Sequence, residues 1–65
     1  MEPVDHIMQF FAYAHLPPHL QEVSKPFADV AGFVSTLPDN RERQKALDLL
    51  LAAKDAAVRS RLAKP

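Results

Sequence analysis

Leu20, Val23, Phe27, Val30, Val34 and Leu37 recur at alternating intervals of three and four. That spacing lays an apolar stripe along one face of a helix. Pro17-Pro18 precedes the stripe and Pro38 follows it, and proline is welcome only in a helix's first turn. The pattern predicts a helix over 18–37. Pro26 falls inside it and is expected to kink the helix or loosen the turn near Glu22-Val23, where it strips a carbonyl of its donor. A second stretch, from Arg41 to Ala63, lacks glycine and proline and is dominated by good helix formers. It predicts a helix over 41–63. Between them Leu37-Pro38-Asp39-Asn40 reads as a turn over 38–40, with Asp39 or Asn40 capping the next helix. Two helices joined so closely run antiparallel.

The first sixteen residues are less regular. Ile7, Phe10, Phe11 and Ala14 would form the apolar side of a short helix or arm over 1–16, extended where it meets the proline pair. The expected fold class is all-α: an antiparallel helical hairpin with a short N-terminal helix or arm, one domain over 1–65. The second helix carries more apolar surface than one neighbour can cover. Leu47, Leu51, Val58 and Leu62 lie on one side, and Leu50 with Ala46, Ala53 and Ala57 lies partly on another. One side can pack on the first helix; the other calls for a different chain. Size points the same way. A chain of 65 residues buries only about 60% of its unfolded surface, and without cysteine it has neither disulfides nor thiolate metal sites to compensate. A compact homo-oligomer is expected.

Eight Lys and Arg balance eight Asp and Glu, which argues against generic adhesion to DNA or to an anionic membrane. No apolar run is long enough to span a bilayer and no secretory leader is visible, so a cytoplasmic protein is the expectation. The balance hides an asymmetry, because Lys25 is the lone cation of residues 1–38 and the basic residues crowd into 39–65. Either the two halves attract each other, or part of the basic half faces an anion. Catalysis finds little footing. The three histidines all fall in the first nineteen residues, away from a serine–acid arrangement, and Asp39 and Glu42 are explained by capping. His15 and His19 are four apart, yet Pro17-Pro18 between them forbids a shared helix face and further ligands are missing. Neither a metal nor a cofactor is expected.

The richest local chemistry is Phe10 to Pro18 followed by Lys25-Pro26-Phe27. Phe10, Phe11 and Phe27 read as core, and His15 as a residue packing a turn. Tyr13 and Lys25 are less well explained by packing. An aromatic ring beside a cation is how proteins commonly hold unpaired nucleotides.

Several motifs then resemble a known family. Phe11-Ala12-Tyr13-Ala14-His15-Leu16-Pro17-Pro18-His19-Leu20-Gln21, Ser24-Lys25-Pro26-Phe27, Leu37-Pro38 and Lys54-Asp55-Ala56-Ala57-Val58-Arg59 resemble the second type of phage anti-CBASS protein, whose helical hairpin is shared with a phage anti-Thoeris sponge. The resemblance covers about residues 10–62. It implies a non-enzymatic hexamer in the cytoplasm of an infected bacterium, sequestering cyclic oligonucleotide messengers so that immune effectors stay inactive. It places cyclic dinucleotides such as cyclic GMP-AMP between protomers, at Tyr13 and Lys25 with His15 and Pro26 nearby, and assigns Arg59 to a separate cyclic trinucleotide pocket. Phe10 is the alternative stacking partner. A dinucleotide with two bases and two phosphates suits a two-fold interface, which supplies each side chain twice. Two other classes remain in play: a small helical nucleic-acid-binding phage regulator, and a hairpin that blocks a host protein.

Overall fold

The computed structural model describes residues 3–63, with side chains from His6 onward; the start of the predicted arm, at residues 1 and 2, lies outside the described residues. Helix α1 (Pro3–Met8) runs into a single 3₁₀ turn, Gln9–Phe11, and two long helices follow, α2 (Pro18–Val34) and α3 (Arg41–Leu62). The protein is mostly helical, with no strand among the described residues, as the periodicity of three and four requires. α2 and α3 run antiparallel: Arg43, near the start of α3, reaches Ser35 beyond the end of α2, while Arg61, near the end of α3, reaches His19. No helix of the described residues is long and apolar enough to cross a membrane.

α2 starts where the proline pair allows. Pro18 occupies the first turn, where its missing N–H costs nothing, and the Leu20 and Gln21 amides both donate to the Pro17 carbonyl, at 2.9 and 3.0 Å. The helix continues unbroken through Pro26 to Val34. The carbonyl that Pro26 leaves without a donor is that of Glu22. Glu22 and Pro26 are both exposed, so water can serve it.

The predicted end at 37 is corrected to Val34. Ser35 and Thr36 turn their hydroxyls back onto the Gly32 and Phe33 carbonyls, at 2.7 and 2.6 Å, and the Thr36 and Leu37 amides tighten to three-residue spacing on Phe33 and Val34. Such side-chain bonds compete with helix propagation. α3 starts at a cap: the Asn40 side chain accepts from the Arg43 amide at 2.9 Å.

The buried side of α2 keeps Leu20, Phe27 and Val34 of the predicted stripe but shifts by one position at Ser24 and Ala31, which replace Val23 and Val30. Ser24 and Ala31 are the innermost residues, at 1% and 0% exposure, while Val30 and Leu37 face outward. Small residues here let the neighbours approach closely, and the core forms from Ile7, Phe11, Ala31 and Leu47, with Phe27, Val34, Leu50 and Leu51 packed around it. Ile7 and Phe11 are four apart and face inward together. Phe10, expected in the core, is 51% exposed; consecutive residues of a 3₁₀ turn point about 120° apart, so only one of the Phe10–Phe11 pair can face the core. Ala14 is exposed too.

The molecule measures 39 × 21 × 15 Å. α1 and the 3₁₀ turn pack against the hairpin as a third element. The outward faces stay apolar: Phe33 is 66% exposed and Leu49 61%, with Val30 and Leu62 near half.

Candidate functional site

The segment from Ala12 to Pro17 has no helix of its own and is shaped by two sets of hydrogen bonds. The Leu16 amide donates to the Tyr13 carbonyl at 2.9 Å, closing a turn. Gln21, one turn into α2, donates its side-chain amide to the Leu16 carbonyl at 2.7 Å and to that of Ala14 at 3.4 Å. Gln21 thereby pins the turn against the first turns of α2. Lys25 stands four residues beyond Gln21, on the same face of that helix. The turn is thereby held on the face of α2 that carries Lys25.

Lys25 is exposed and Tyr13 half-buried. The lone cation of its half is not isolated: Nζ donates to Asp29 Oδ2 at 3.0 Å, one helical turn on. Counting charges by halves conceals this partner, which helix geometry sets four residues away. The ammonium is held above the ordinary lysine value. The hydrogen bond to Asp29 is the main cause, then that carboxylate's charge, then the Tyr13 phenol, against a small opposing effect of lost hydration.

His15 and Pro26 are both exposed; His15 lies in the pinned turn and Pro26 directly follows Lys25. Arg59 is exposed in the last turn of α3. Arg61 faces α2, donating to the His19 carbonyl at 3.2 Å and approaching Glu22 at 3.5 Å. Two residues along a helix is nearly half a turn, so Arg59 points away from α2. Among the described residues no group of three His, Asp or Glu side chains is set to hold a metal ion.

A second feature lies at the opposite end of the hairpin. Leu37, Pro38, Asn40, Glu42, Arg43 and Ala46 line a shallow, largely apolar concavity of about 270 Å³. Its arginine is already engaged. Arg43 is 9% exposed, donates to the Ser35 and Leu37 carbonyls at 3.0 and 2.7 Å, and pairs with Asp39 at 2.9 Å. It ties the turn together and leaves no cation for a phosphate. Gln21, Asp29 and Arg43 do not stand out in the sequence as organisers; the four-residue spacings Gln21–Lys25–Asp29 and Asp39–Arg43 are the signal that could have found them.

Compared with models of known protein families, with curated proteins and with solved structures, the chain matches none.

Proposed function

We propose that this chain is a non-enzymatic sponge, which binds and sequesters cyclic oligonucleotide messengers without cleaving them and so blocks bacterial CBASS antiviral signalling. Its ligands are cyclic dinucleotides such as cyclic GMP-AMP, and cyclic trinucleotides at a second place. What supports the reading is that Gln21 pins the Tyr13–Leu16 turn against the face of α2 that carries Lys25, twelve residues from Tyr13 in sequence. A ring that can stack on a base beside a cation that can meet a phosphate is the minimum unit of nucleotide recognition. The motifs that resemble the anti-CBASS family contribute both residues, with His15 and Pro26 at the margin and Arg59 as the trinucleotide contact.

One protomer offers one ring and one cation on an open surface, which is half of what a cyclic dinucleotide presents. A homo-oligomer, a hexamer by the resemblance, supplies the other half where two protomers meet about a two-fold axis. The ligand then spans two Tyr13 rings and two Lys25 ammoniums. Retention needs affinity and stoichiometry rather than turnover, so nothing in the site has to act as an acid, a base or a nucleophile.

Incubation with a panel of cyclic di- and trinucleotides, followed by heating and analysis of the released material, should return ligand chemically intact. By calorimetry, Tyr13→Ala should lose about 1–3 kcal/mol per stacked base. Lys25→Ala removes a charge-assisted hydrogen bond twice over and should weaken dinucleotide binding by more than about tenfold. Arg59→Ala should weaken trinucleotides and spare dinucleotides. Hydrolysed ligand, or an unchanged dinucleotide affinity in folded Lys25→Ala, would refute the reading. Steeply salt-dependent binding of duplex DNA would favour a nucleic-acid regulator instead.

A further inference from the structure

The proposed recognition leaves Asp29 without a task, although its carboxylate is the nearest charge to the one cation the site uses. Asp29 Oδ2 and Lys25 Nζ are 3.0 Å apart, and both side chains are exposed. An ammonium has three protons, so a phosphate can bind Lys25 without driving Asp29 away. Two charge-assisted contacts of about 2.8 Å on one nitrogen bring the phosphate and the carboxylate within about 6 Å of each other. Like charges at that separation repel, and the repulsion grows with the charge on the phosphate. A phosphodiester, as in a cyclic oligonucleotide, carries one negative charge, whereas a terminal phosphomonoester carries about 1.5 to 2 at neutral pH.

We infer that Asp29 is the specificity determinant of the Lys25 site, a resident counter-ion that admits phosphodiesters and penalises terminal phosphomonoesters. This rests on the nucleotide-binding reading of Tyr13 and Lys25 and adds a reason for a single lysine to prefer a cyclic messenger over the linear nucleotides around it. Lysine preceding aspartate by four is the weaker orientation of such a helix pair. The pair is thus poorly suited to a purely structural role, and its exposure leaves it open to ligand.

The test compares a cyclic dinucleotide with its linear counterpart bearing a 5′-monophosphate, by calorimetry at low salt. In Asp29→Asn the linear ligand should tighten more than the cyclic one, narrowing the cyclic-over-linear preference by about two- to threefold, as expected for about half to one extra unit charge at about 6 Å in a water-like medium. Asp29→Glu should retain the preference, and the difference between Asp29→Asn and the parent should fade as salt shortens the screening length. An unchanged preference in Asp29→Asn, or equal weakening of both ligands, would overturn the inference while leaving the site intact, provided Lys25→Ala still loses the cyclic ligand. If Lys25→Ala binds the cyclic ligand as the parent does, the site itself is misassigned and the inference falls with it.

Discussion

Ser24 is the residue that local rules treat worst. It sits at 1% exposure on the inner side of α2, and among the described residues its hydroxyl has no hydrogen-bond partner. A buried hydroxyl without a partner forfeits its hydration for nothing in return. Ser24→Ala removes the stranded group and installs the best helix former, so the protein should gain about 1 kcal/mol and melt about 4–8 °C higher for a chain of this size. A lower melting temperature would mean that the hydroxyl has a partner in solution. The chemistry of the neighbouring site is legible at this scale only in part. Tyr13 and Lys25 stand out by type, as a hydroxylated ring and an unaccompanied cation. The placing of the Tyr13–Leu16 turn against the Lys25 face of α2 does not, because it depends on Gln21 reaching back to Leu16, a contact without any periodic signature. Phe10 misleads because two adjacent aromatics look alike in sequence, and only the 3₁₀ geometry separates the outward ring from the inward one.

The hairpin is the most legible element, and its reasons are simple: long stretches of strong helix formers, proline at the first turn of α2, and a turn whose Asn40 caps α3. The last turn of α2 is less so. Apolar periodicity carries on through Val34 to Leu37, but the Ser35 and Thr36 hydroxyls compete for the carbonyls that would have propagated the helix. The carbonyls just beyond are claimed from across the turn, since the Arg43 guanidinium binds the Ser35 and Leu37 oxygens and the Asp39 carboxylate together. Three contacts converge on one nearly buried cation. Arg43→Met keeps most of the volume and removes every donor, leaving two carbonyls without their partner, and should cost about 2–4 kcal/mol at roughly 1.5–3 kcal/mol per charged hydrogen bond, less the part that water restores. Denaturant unfolding checks it; a loss below about 0.5 kcal/mol would show that the Asn40 cap and the hydroxyls hold the turn unaided. Arg41→Met, an exposed neighbour, is the control expected to change little.

At the scale of the whole molecule, so small a protomer leaves several large apolar side chains exposed. α1 and the 3₁₀ turn pack against the hairpin, while Phe33 of α2 and Leu49 of α3 stand out at 66% and 61% exposure, with Val30 of α2 at 48%. The proposed sponge needs a second protomer to complete its ligand cradle, and these residues are the apolar surface a protomer contact could bury. Leu50 is the wrong residue to test. Leu50 is half-buried and packs against the core, so a charge there would damage the protomer as well as any contact between protomers. Phe33 and Leu49 are mostly exposed within the protomer, so Phe33→Glu and Leu49→Glu should leave the helical circular-dichroism spectrum intact. Buried at a seam, each glutamate would place a charge where none can be hydrated, at a cost of several kcal/mol per copy, enough to break the assembly at micromolar concentration. Sedimentation should therefore find the parent protein as one oligomeric species and both variants as folded monomers. The variant monomers should also bind cyclic dinucleotide far more weakly while retaining Tyr13 and Lys25, because each then offers half a site. A parent protein that sediments as a monomer, yet binds dinucleotide tightly, would show that one protomer suffices and that the apolar face serves another purpose.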